Sequence, residues 1–205
     1  MALRLITAPE VQPLTLEEVK EHLRVDFSDT DTLISAYIDA ATSYVQGEHS
    51  FTGRALVTQT WELVVDHFPV HEIKIPLPPL QSIESIKYDD ADGNEVTLAT
   101  DQYYVDDVSE PAWVVPITGG WPASSGVLNA INAIRIRFIA GYPATTDSPP
   151  DLRANIPRAI KQAMLLYIGA FHEHRENEIV GLTTMRLPFA AEHLLAPWRV
   201  VVPFA

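Results

Sequence analysis

The spacing of hydrophobic and polar positions changes period twice along this chain. Near the N-terminus, Leu33, Ile34, Tyr37, Ile38, Ala41, Tyr44 and Val45 recur at spacings of one, three and four, which predicts an amphipathic helix from about Thr32 to Glu48. A shorter helix, Leu16–Leu23, is expected just before it. Thr15-Leu16-Glu17-Glu18 is a capping-box pattern, with Thr15 as N-cap and Glu18 reaching back. From Arg54 the texture turns β-like. Strands are expected at Leu56–Asp66, Glu72–Ile75, Ser82–Tyr88, Val96–Leu98, Tyr103–Val105 and Ala112–Ile117. Ile134–Ala140, IRIRFIA, alternates most cleanly, with arginines on one side and Ile and Phe on the other. Helical spacing then returns in Ile156–Glu178, opened by Asn155 near a cap position and Pro157 in the first turn. A last short helix is expected at Pro188–Ala196, followed by the apolar, β-like tail Trp198–Ala205.

The order is helices, a long β stretch, then helices. The economical fold is α+β. A small helical bundle is formed by both chain ends (1–54 and 150–205), and an antiparallel β module (55–149) is inserted between helices two and three. The first thirteen residues are expected to be extended, and Ala144–Asp151 to be a linker.

The Ile156–Glu178 helix organises this picture. Ala163–Phe171 carries no charge, which marks a core helix too short in its apolar part to span a bilayer. At about 100° per residue, Arg158, Lys161, Gln162, His172, Glu173 and Glu176 fall on one face, with Leu165 and Gly169 in the middle of it. A polar stripe interrupted by Leu and Gly implies that something packs there, either another segment of the chain or a neighbouring subunit. The tail poses the same choice. Trp198, Val200, Val201, Val202 and Phe204 can tuck into their own domain or add to a partner's surface.

Composition narrows the function classes. The chain has 205 residues and a formal net charge of −13, which disfavours gripping DNA or an anionic membrane. It has no cysteine, so disulfides and thiolate metal sites are excluded. No segment is long enough to be transmembrane and the first residues lack a signal peptide's apolar run, so a soluble, intracellular product is expected.

Candidate chemistry is sparse. No P-loop, GxGxxG, GxSxG or HExxH is present. The cluster His172-Glu173-His174-Arg175-Glu176 is the nearest thing to a site, but His172 and His174 lie on opposing sides of a helix and a third metal ligand is lacking. His67, His71 and Glu72 form a weaker group. Asp26–Asp31 lacks the Gly and closing Glu of a calcium loop, and Ser28, Asp29 or Asp31 is expected to cap the following helix instead. Asp89, Asp90 and Asp92 suit a hairpin turn with Gly93. Arg135 and Arg137 can contact phosphate, though two arginines on a strand of an acidic chain carry little weight. No catalytic residue, metal site or cofactor is therefore assigned.

Several stretches together carry a family resemblance: PLTLEEVKEHLRVD (Pro13–Asp26), TGRALVTQTWEL (Thr52–Leu63), PPLQSIESIKYDDADG (Pro78–Gly93), IPRAIKQAMLLYIGAFHEHRE (Ile156–Glu176) and LLAPWRV (Leu194–Val200). The ensemble resembles the head–tail connector, or adaptor, proteins of long-tailed phages, prophages and gene transfer agents, in the branch carrying a β insertion. The resemblance implies a structural virion protein with no enzymatic activity. It implies a ring of copies, commonly twelve, docked under a portal protein, extending the DNA channel and receiving the next neck or tail component. DNA would then be only a passing duplex, and the protein's place the virion neck, reached from the host cytoplasm. Loosely transferred, it assigns Leu165, Gly169, Arg158, Lys161 and Gln162 to subunit packing and the Trp198–Phe204 tail to partner docking. The alternatives are a tail-completion protein, or a small hydrolase using His172 with nearby carboxylates.

Overall fold

A computed structural model describes residues 2–117, 120–122, 127, 131–173 and 189–200. In chain order the elements are β1 (Ala2–Thr7), α1 (Leu16–Leu23), α2 (Asp31–Val45), β2 (Gln59–Val65), β3 (Ile73–Ile75), β4 (Leu80–Asp89), β5 (Glu95–Thr97), β6 (Tyr103–Asp106), β7 (Ala112–Pro116), β8 (Ile134–Ala140), α3 (Arg158–Glu173) and α4 (Phe189–Leu195). The class is α+β, with helices on both sides of an antiparallel β stretch. The described residues fall into two compact units, one holding 2–10 and 58–143, the other 11–57 and 144–200.

The β unit contains a five-stranded sheet, ordered β1-β2-β8-β4-β5, and a three-stranded sheet, β3-β7-β6. β8 lies at the middle of the larger sheet, antiparallel to β2 and β4. Its alternation holds in space: Ile134, Ile136, Phe138 and Ala140 are fully buried, while Arg135 and Arg137 stand on the other face. Leu63 and Ile86 bury beside them. In the smaller sheet Ile73, Ile75, Ala112 and Val114 form the buried side. β1 departs from the expected division of the chain. Ala2–Thr7, grouped by sequence with the helices, is hydrogen-bonded along β2, with Leu3 opposite Leu63 and Leu5 opposite Trp61. Nothing local in ALRLIT identifies a partner strand some sixty residues on, because pairing is a non-local choice.

The helical unit is built from α1 to α4, with α3 packed against each of the other three. α1 starts where its capping box predicts. The Glu18 N–H donates to Thr15 Oγ1 at 3.0 Å and the Thr15 N–H to Glu18 Oε2 at 2.8 Å. It ends at Arg24, which takes the left-handed conformation (φ 58°). α2 differs from expectation at both ends. Its N-cap is Thr30, which makes no side-chain capping bond, so Ser28, Asp29 and Asp31 do not cap it; the Asp31 carboxylate accepts instead from Lys20 Nζ at 2.6 Å. It stops at Val45 rather than Glu48, because the Ser50 and Thr52 hydroxyls donate to the Val45 carbonyl and satisfy the helix end early. On α3 the buried residues are Ile160, Ala163, Met164, Tyr167 and Ile168, a single stripe at helical spacing. The uncharged run is thus buried on one side only, and Leu165 and Gly169 remain partly exposed.

Candidate functional site

The half-exposed side of α3 is one wall of an open groove, and α1 is the other. Leu14 and Leu165 supply apolar lining, and the volume is about 380 Å³. α3 contributes Arg158, Lys161 and Gln162; α1 contributes Glu18, Glu21 and His22. Four of the five residues assigned by sequence to subunit packing therefore meet at one place. The fifth, Gly169, lies further along α3, where an added Cβ would stand 3.5 Å from His22 Nε2. α1 of the same chain lies along the stripe, and the groove beside it is open.

Charge runs across this groove with opposite signs on its walls. Lys161 Nζ donates to Glu18 Oε1 at 3.2 Å. Burial alone would raise the Glu18 pKa, but the Thr15 backbone N–H and the Lys161 ammonium outweigh it and hold the carboxyl below its ordinary value. Glu18 thus serves two purposes, closing the N-terminus of α1 and tying α1 to α3. Among the described residues Arg158 makes no ion pair, and neither does Glu21. Sequence reasoning missed the α1 side. The signal available was the capping carboxylate itself, a charge of the right sign to meet a lysine on the third helix.

The tail begins inside the helical unit. Trp198 ends a single 3-10 turn after α4, and its carbonyl accepts from Arg54 Nε at 2.5 Å while the Arg54 guanidinium lies 5.8 Å from the indole centre. The Val200 N–H donates to the Thr52 carbonyl at 2.8 Å, and Val200 lies against Gly53, whose φ of +67° excludes most side chains. Trp198 and Val200 are therefore held by the loop after α2. Val201, Val202 and Phe204 lie outside the described residues.

The remaining candidates resolve into structural roles. Arg137 pairs with Glu62, a buried carboxylate that also accepts from Arg4, so three strands share one ionic cluster. Arg135 pairs with Asp89 and Glu95, and Lys87 with Glu95. The Arg135 guanidinium keeps the Asp89 carboxyl below its usual range. Neither arginine is free for phosphate. Asp90 accepts from the backbone N–H groups of Asp92 and Asn94, and Gly93 takes φ +84°, making the expected hairpin turn. The His71 carbonyl accepts from Trp121 Nε1. His172 and Glu173 end the described part of α3 away from the groove's lining, while His174, Arg175 and Glu176 lie outside the described residues. Among the described residues no group of three His, Asp or Glu side chains is placed to hold a metal ion, and no helix is long and apolar enough to cross a membrane.

Comparison with known proteins adds the following. Residues 13–101 match the family described as phage gp6-like head-tail connector protein, and over that span the resemblance seen in the sequence is borne out. Among solved structures, the chain is similar to one in the neck of an empty gene transfer agent particle, computed with C6 symmetry, at TM-score 0.77 and 21% identity. A chain of the native gene transfer agent virion gives 0.76 and 20%, and one from the native particle's neck with C12 symmetry gives 0.66 and 20%. Each likeness covers 100% of this chain and 98% of the other. At these identities they bear on the fold. No curated protein matches the chain.

Proposed function

We propose that this chain, whose residues 13–101 carry the pattern of phage gp6-like head-tail connector proteins, is a structural connector in the neck of a phage or gene transfer agent particle. The observation that carries the reading is that family match, extended by a fold shared end to end with neck chains. Copies assemble as a ring under the portal, and similar necks computed with C6 and with C12 symmetry support a multiple of six, which we take as twelve. The ring lengthens the DNA channel and receives the next neck or tail component. A net charge of −13 suits a wall past which phosphate must slide, because like charge repels the duplex instead of binding it. The role asks for no bond to be made or broken.

The groove between α1 and α3 suits packing between copies. It is open, partly apolar and bordered by charges of both signs, and it lies on rigid helices rather than on a loop. A ring requires two different patches per copy, one meeting the other by rotation. The tail beyond Val200 is the segment we assign to partner docking, anchored at its root by Thr52 and Arg54.

Deleting the gene from a particle-producing strain tests the role. The expected outcome is filled heads without attached tails, restored by supplying the chain. Normal tailed particles in its absence, or purified necks without the chain, would overturn it.

A further inference from the structure

The proposed ring requires a feature on each copy that fits the α1–α3 groove of the next. The α1–α2 loop supplies a candidate. Asp26, Phe27, Ser28 and Asp29 are all exposed. Phe27, at 52% exposure, is the most exposed large apolar side chain described in the helical unit. A single exposed aromatic side chain is ordinary by itself, and its setting is what singles this one out. Here it stands between two carboxylates, Asp26 and Asp29, that make no ion pair among the described residues. The loop is bounded by the left-handed turn at Arg24 and by the Lys20–Asp31 ion pair, and Phe27 projects between them.

The groove has the complementary chemistry. Leu165 offers apolar lining for a ring over the buried Leu14, in a volume of about 380 Å³. Among the described residues the Arg158 guanidinium has no ionic partner and the Lys161 ammonium a single carboxylate partner, on the wall that would face incoming aspartates. We infer that the α1–α3 groove receives the Phe27 knob of a second copy, with Asp26 or Asp29 paired to Arg158. The contact is heterologous, knob to groove, so an open chain of copies keeps a free knob at one end and a free groove at the other until the ring closes. This inference rests on the reading of the chain as a self-assembling connector and specifies which surfaces meet.

The chain has no cysteine, so a cross-link can be placed without background. In the full-length protein carrying both Ser28→Cys, beside the intact Phe27, and Gln162→Cys, mild oxidation at high concentration is expected to give a ladder of dimers, trimers and larger species. Mixing the two single variants should give the mixed dimer and nothing larger. With the two cysteines in place, Arg158→Glu should reduce the ladder about fivefold, the scale of one ion pair, and adding Asp29→Arg should restore it. Cross-linked material that stays monomeric, stops at a closed dimer, or ignores the charge reversal would overturn the inference. Recovering the wild-type chain from purified necks is a separate readout. A chain present in necks without a ladder sinks the knob and keeps the connector; a ladder from a chain absent from necks does the reverse.

Discussion

The β unit and the helical unit treat their charges in opposite ways. On the five-stranded sheet, Arg4, Lys87, Arg135 and Arg137 are all matched to Glu62, Asp89 or Glu95 of the same sheet. On the helices, one pair, Lys161–Glu18, bridges a groove whose other charged residues, Arg158 and Glu21, have no ionic partner among the described residues. A sheet face that satisfies itself needs no neighbour, whereas a groove with unpaired charge and an open apolar lining is suited to receive one. The arginines that look most like a binding motif in the sequence, IRIRF, therefore hold the fold, and the ordinary-looking α1 borders the candidate interface.

That contrast can be broken most forcefully at the centre of the sheet. Phe138→Ala should destabilise the protein by about 3–5 kcal/mol, read by chemical denaturation, because the side chain is fully buried and the space cannot collapse easily. Arg137→Ala should cost about 1.5–3 kcal/mol, since it strips one partner from buried Glu62. Arg158→Ala, at the groove, should leave stability within about 0.5 kcal/mol while weakening self-association in sedimentation. If those two arginine variants behaved alike in both assays, the division of labour between the units would be wrong.

Acid sharpens the comparison next. Glu18 titrates lower in the folded chain than its ordinary 4.5, so the unfolded state binds its proton first as pH falls. Its stabilising contribution is fully present above about 4.5 and disappears as pH drops through the lowered folded value. In melts between pH 6 and pH 3, the gap between wild type and Glu18→Gln should be widest at the upper end and close towards the lower. A gap that grows with acid would reverse the assigned sign. A small effect, of the opposite sign, is expected at Gly169. A Cβ there meets His22 Nε2 at 3.5 Å, an ordinary contact, while alanine favours the helix. Gly169→Ala should thus be neutral or stabilise by up to about 1 kcal/mol. A loss of 2 kcal/mol or more would show that α1 and α3 are packed too tightly there to admit a methyl group.

What the sequence determined alone is local. The capping box placed α1, the period-two run placed β8, and the i, i+3, i+4 spacings placed α2 and α3, since each such signal is written in residues a few positions apart. It also placed Arg158, Lys161, Gln162 and Leu165 on one stripe. Tertiary structure decided what those elements face. Arg4 meets Glu62 across 58 positions and Lys161 meets Glu18 across 143, so the same kind of charge became sheet mortar in one unit and groove wall in the other. Periodicity tells a residue which side it is on; only the folded chain brings the opposite side to it.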